Sequence, residues 1–115
     1  MAYMLLIVEP QGQRRARPEQ EGRSVYQLML DYTESLKARG ILVASNSLRE
    51  RAARLTMRGG RQSVVDGPFA ESKELVGGFF LLDCGTREQA LRLAAECPAA
   101  EWATIEVREV GPCYE

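Results

Sequence analysis

The chain has 115 residues, 45% of them apolar and 27% charged, and its formal net charge is -1. That length suits a single domain over residues 1–115, enough for one hydrophobic core and too little for two. The balance of charge and apolar content excludes a disordered chain, a fibrous one and a strongly basic nucleic-acid binder.

Tyr3 to Val8 reads as a strand that is apolar on both faces, the pattern of a central strand covered on both sides. Residues 9–18 read as a polar loop rich in Arg and Gln, with Gly12 and Pro18 in it. In the next segment Val25, Leu28, Met29, Tyr32 and Leu36 recur at helical spacing and make one stripe. Pro18 or Ser24 can start that helix, and Gly40 after Arg39 can cap its end. Ile41 to Ser47 is a second strand. From Ala53 to Arg58 the chain alternates, Leu55 and Met57 on one side and Arg54, Thr56 and Arg58 on the other. Gly59-Gly60 turns that strand back into Gln62 to Asp66, a hairpin expected at a sheet edge or as a flap.

Gly77 to Cys84 is again apolar on both faces through Phe79, Phe80, Leu81 and Leu82. Thr86 with Gln89 three residues on signals a helix start. Ala90, Leu93, Ala94 and Cys97 supply that helix's inner stripe, and Pro98 stops it. Thr104 to Val110 is a last strand with Ile105 and Val107 inward.

Without the hairpin this order is β-α-β-β-α-β. It predicts an α+β, ferredoxin-like fold with an inserted β-hairpin. Two helices cover one face of such a sheet, yet the middle strands are apolar on both. A second copy of the chain is the economical lid, so a homodimer with two facing sheets, a dimeric α+β barrel, is expected.

The sequence contains no histidine, which removes Ser-His-Asp, Cys-His and His-base chemistry. Cys84, Cys97 and Cys113 form no C-x-x-C pair and read as ordinary thiols, two in the core and Cys113 exposed, so no metal is expected. Gly59-Gly60-Arg61 is too short for a phosphate loop, and with no G-x-G-x-x-G before a helix no cofactor is expected. The apolar run Met1 to Val8 is too short to span a membrane and lacks the flanks of a secretory signal. Arg14-Arg15 leads into Arg17, Pro18, Glu19 and Glu21 rather than an apolar stretch, so a cytoplasmic protein with no membrane partner is expected. Residues 1–61 carry a net charge of +5 and residues 62–115 one of -6. This is either a basic patch for an anionic partner or two charge sets that interleave in one fold. Nucleic-acid binding through Arg14, Arg15, Arg17 and Arg23 is the weakest function, and no nucleic-acid partner is expected.

The most distinctive run is Asp66-Gly67-Pro68-Phe69, followed by Ala70-Glu71-Ser72-Lys73-Glu74 and then Gly77-Gly78-Phe79-Phe80. Asp66 can accept backbone hydrogen bonds, Gly67 can take a conformation that a Cβ resists, Pro68 fixes φ, and Phe69 can plug the core beneath. All four can thus be a rigid structural turn. Alternatively the turn aims Asp66 into a pocket as a catalytic acid or base, with Ser72 and Lys73 as ligand-binding groups beside Glu71 and Glu74. Asn46 and Ser47, with Arg49, can add ligand hydrogen bonds from the end of the second strand. Tyr26 and Tyr32 read as core or interface aromatics, and Trp102 as lining a cleft or a dimer seam.

The Asp66-to-Phe80 run resembles the DGPF motif of the YCII-related (DGPF-domain) family, and Tyr3 to Ile7, Gly40 to Leu48 and Ile105 to Arg108 resemble that family's strands. The resemblance implies a dimeric ferredoxin-like α+β barrel. It also implies, for some members, an enzyme using a His-Asp pair in the pocket between sheet and helices. Here the pair lacks its histidine, and Asp66 is the half that carries over. Some relatives are encoded beside, or fused to, extracytoplasmic-function sigma factors. The expected function is therefore a dimer that binds a small molecule in a pocket near the DGPF turn. The alternatives are a lyase- or isomerase-type enzyme using Asp66, or a regulatory partner of a sigma factor.

Overall fold

The computed structural model describes residues 1–69 and 71–115, so Ala70 in the charged run after the turn lies outside the described residues. Strand β1 (Ala2–Pro10) alternates strictly: Tyr3, Leu5, Ile7 and Glu9 are buried, and Met4, Leu6 and Val8 are half-buried. Successive side chains on a strand point to opposite faces, so β1 gives one face to the core and the other to the far side of the sheet.

Helix α2 (Glu19–Ala38) crosses the core face, followed by β2 (Leu42–Ser47), which pairs antiparallel with β5 (Glu74–Asp83). Helix α3 (Arg87–Glu96) and a 3-10 turn (Pro98–Glu101) lead into β6 (Thr104–Glu109). The sheet order is β2-β5-β1-β6 with all neighbours antiparallel. This α+β arrangement is compatible with the expected ferredoxin-like fold. Thr86 caps α3 as its sequence signals, accepting from the Gln89 N–H at 3.1 Å, and Ala90, Leu93 and Ala94 are its buried residues.

Tyr32 and Leu36 anchor α2, and Tyr32 meets Phe80 edge-on at 5.2 Å between ring centroids. The Tyr32 hydroxyl donates to the Leu93 carbonyl at 2.6 Å, which ties α2 to α3, and burial pushes that hydroxyl above the ordinary phenol range. Two expectations change. A short helix α1 (Gln13–Ala16) forms where a polar loop was expected. Leu28, read as part of the α2 stripe, is 48% exposed, because it lies on the flank of the stripe that Met29, Tyr32 and Leu36 centre.

The hairpin pairs β3 (Ala53–Arg58) with β4 (Arg61–Asp66) through Gly59-Gly60, both at positive φ. It forms a separate two-stranded sheet, and every residue in both strands is exposed. The molecule is correspondingly extended, with a radius of gyration of 16.0 Å against about 13 Å for a compact domain of this length. The hairpin therefore does not roof the far face of the sheet. On that face Met4 opposes Leu81 and Leu6 opposes Phe79, and none of the four joins the core cluster.

Candidate functional site

Glu9 ends the buried face of β1, a carboxylate at the position where Tyr3, Leu5 and Ile7 set an apolar pattern. Such a group needs a partner. Arg14, on α1, supplies it: its Nε lies 2.7 Å from Glu9 Oε1. The other guanidinium nitrogens donate to backbone carbonyls, Nη1 to Leu48 at 2.7 Å and Nη2 to Gly77 at 3.1 Å. One side chain thus clamps the ends of β1, β2 and β5 together. Burial raises the Glu9 carboxyl above its usual range, and Arg14 offsets part of that rise.

The clamp depends on a break in the β1–β5 register, which shifts between Ile7/Gly78 and Val8/Val76 and leaves Gly77 as the extra residue. The freed Gly77 carbonyl accepts from both Arg14 and the Leu48 N–H, the latter at 2.9 Å. A Cβ on Gly77 would stand 2.6 Å from both Arg14 Nη2 and Glu9 Oε1, so only glycine leaves room for the ion pair.

The ion pair forms part of the wall of a cavity of about 620 Å³ between the N-terminal half of α2 and the sheet. Tyr26, Met29 and Thr33 line it from α2, Ser45, Asn46 and Ser47 from β2, and Arg17, Arg49 and Trp102 from the surrounding loops. The Arg17 guanidinium lies 5.8 Å from the Trp102 ring centroid. Gln13 Nε2 holds the Trp102 carbonyl at 2.7 Å, which fixes α1 against the 3-10 turn. The cavity wall therefore combines aromatic surface, hydroxyls, a neutralised ion pair and two further arginines.

Of the residues singled out from sequence, Asn46 and Ser47 line this cavity. Ser72 lines a second cavity of about 570 Å³ with Arg54, Pro68, Phe69 and Glu74. Asp66, exposed at the end of β4 opposite Ala53, and Lys73 line neither of these two cavities among the described residues. Lys73 contributes its carbonyl, which accepts from the Gln11 N–H at 2.9 Å.

The turn itself is organised by Arg54. Its guanidinium lies 3.7 Å from the Phe69 ring centroid, donates to Ser72 Oγ at 3.2 Å and approaches Glu71 at 3.3 Å. Phe69 is thus half-buried under an arginine instead of plugging the core. Gly67 is not in the left-handed region, and the Gly67–Pro68 bond is cis. The demand for glycine there comes from Phe69, whose ring would stand 2.8 Å from an added Cβ.

The sequence reading passes over Glu9 and takes Arg14 only as a candidate nucleic-acid contact. The available signal was a carboxylate in phase with Tyr3, Leu5 and Ile7, with an arginine five residues on and a Gly-Gly pair in the neighbouring strand. Cys84 and Cys97 are buried free thiols raised by burial, unsuited to nucleophilic attack. Among the described residues no cluster of three His, Cys, Asp or Glu is placed to hold a metal ion, and no helix is long and apolar enough to cross a membrane.

Over 62 residues, 52% of its length, the chain is 43% identical to an uncharacterised protein of Rhizobium meliloti (strain 1021), and the match covers 50% of that relative. The chain thus spans about half the length of the curated relative it matches. The model of the YCII-related domain matches residues 1–113, nearly every residue of the described fold, and the chain accordingly belongs to the YCII-related family.

Proposed function

We propose that this YCII-type protein is a cytoplasmic homodimer that binds a small molecule in the cavity beneath the N-terminal half of α2. The carrying observation is the Glu9–Arg14 pair, a buried carboxylate held by a half-buried guanidinium in the wall of a cavity large enough for a metabolite. A buried ion pair is a weak device for stability alone, since desolvation takes back much of what the attraction provides. A polar anchor fixed from three strands and set in a mostly apolar hollow is what orients a small ligand. Arg14 neutralises Glu9, so Arg17 and Arg49 leave the cavity with excess positive charge. The ligand this favours has an anionic group and a flat or apolar body able to lie against Trp102 and Tyr26. Ser47, opposite Gly78 on the core face, can supply a side-chain hydrogen bond, whereas the side chain of Asn46, opposite Phe79, shares the far face. The Asp66–Phe69 turn, with Ser72 and Lys73, shapes the neighbouring surface.

Catalysis by proton transfer is a second reading of the same cavity. Glu9 favours it, being a carboxylate whose burial raises its pKa, whereas Asp66 is exposed. The sigma-factor alternative draws on the family resemblance alone.

A panel of small carboxylates and phosphates, screened by thermal melting, tests the binding reading. The expected result is a dose-dependent rise in Tm for the wild-type protein that Arg17→Glu abolishes. A flat response across the panel, or an equal rise in the variant, would overturn it.

A further inference from the structure

We infer that the β3–β4 hairpin is an exchange arm, docking its Leu55–Met57–Val64 side on a second copy of this chain while that copy's arm docks in return. The inference rests on the homodimer reading and adds to it the element that joins the copies. Leu55 faces Val64 across the ladder, with Met57 next to Leu55 on the same side. They are 59%, 53% and 53% exposed respectively in the single chain. Arg54, Thr56, Arg58 and Arg61 take the opposite side with Ser63 and Val65, and Gln62 and Asp66 flank the apolar residues on theirs. A lone two-stranded hairpin is marginal in water, and one with a bare apolar side needs a surface to lie on.

The charge distribution names that surface. Residues 53–66 hold three arginines against Asp66, a net charge of +2, and the rest of the chain carries -3. Arg54 is tied to Glu71 of its own chain, while Arg58 and Arg61, beside the Gly59-Gly60 tip, have no ion-pair partner among the described residues. The arm's apolar side matches the uncovered apolar face of the sheet, and its net positive charge is drawn to a body of net negative charge. Both features belong to this chain, so a second copy satisfies both at once in a closed two-fold pair. Strands of six residues reach about 20 Å, enough to cross onto a neighbour.

Sedimentation velocity at micromolar concentration tests the arm with wild type, Leu55→Asp/Val64→Asp, the milder Met57→Glu, and Thr56→Gln as a control on the cationic side. Both substituted positions of the double variant are exposed in the single chain, so circular dichroism is expected to report a folded body throughout. The expected result is a dimer dissociation constant raised about 100-fold in the double variant and about 10-fold in Met57→Glu, with the control within about threefold of wild type. Arm variants that dimerise as tightly as wild type would overturn the exchange arm and leave the homodimer standing. A monomeric wild type would remove both.

Discussion

Leu5 and Leu6 are consecutive, chemically identical and in the same central strand, yet Leu5 is fully buried and Leu6 is half-buried and outside the core cluster. The difference lies in which face each meets. Leu5 points at α2 and α3, where Tyr32, Leu36, Leu93 and Ala94 close over it. Leu6 points to the face where Met4, Phe79 and Leu81 form an apolar surface with no place in the chain's own core. Composition cannot distinguish the two faces, because both are made of the same residue types. The helices decide it: the sequence codes for two long helices on one side of the sheet and a solvent-exposed hairpin in place of a second layer.

Substitutions break this comparison in a definite order. Leu5→Ala should cost about 3–4 kcal/mol in urea unfolding of the single chain, because the cavity it leaves is walled by the rigid core. Leu6→Ala should cost under about 1 kcal/mol in the same assay, and its larger effect should appear as weakened self-association. Gly77→Ala should cost about 1–3 kcal/mol, as the added methyl displaces the Arg14 clamp. Tyr32→Phe should cost about 1 kcal/mol by leaving the buried Leu93 carbonyl without its donor.

The smallest effect is the pH dependence at Glu9. Its folded pKa lies above its unfolded value, so the folded state holds the proton more tightly than the unfolded state does. The stability this contributes is full below the unfolded carboxylate pKa of about 4.3 and is lost as pH rises through the raised folded value. Wild type should therefore lose stability relative to Glu9→Gln across that rise, measured by urea midpoints at successive pH values.

Much of the fold was legible because its signals are local. The Thr86–Gln89 cap, the Ala90–Leu93–Ala94 stripe and the Gly59-Gly60 turn each depend on residues within a few positions of one another. Leu28 misled because five apolar residues at helical spacing span a wider arc than the sheet covers. The candidate site was less legible because it is assembled at long range. Asn46 and Ser47 could be picked out at a strand end, but the Glu9–Arg14 clamp requires a register break at Gly77, more than sixty residues along the chain. Phe69 illustrates the same limit: an aromatic after a tight turn reads as a core plug, and only the hairpin's fold-back brings Arg54 over its ring.

The central claim is that the open apolar face of the sheet is covered by a second copy. Multi-angle light scattering at micromolar concentration tests it most directly. The mass expected is twice 12.8 kDa. A single species at 12.8 kDa, unchanged as concentration rises, would contradict it.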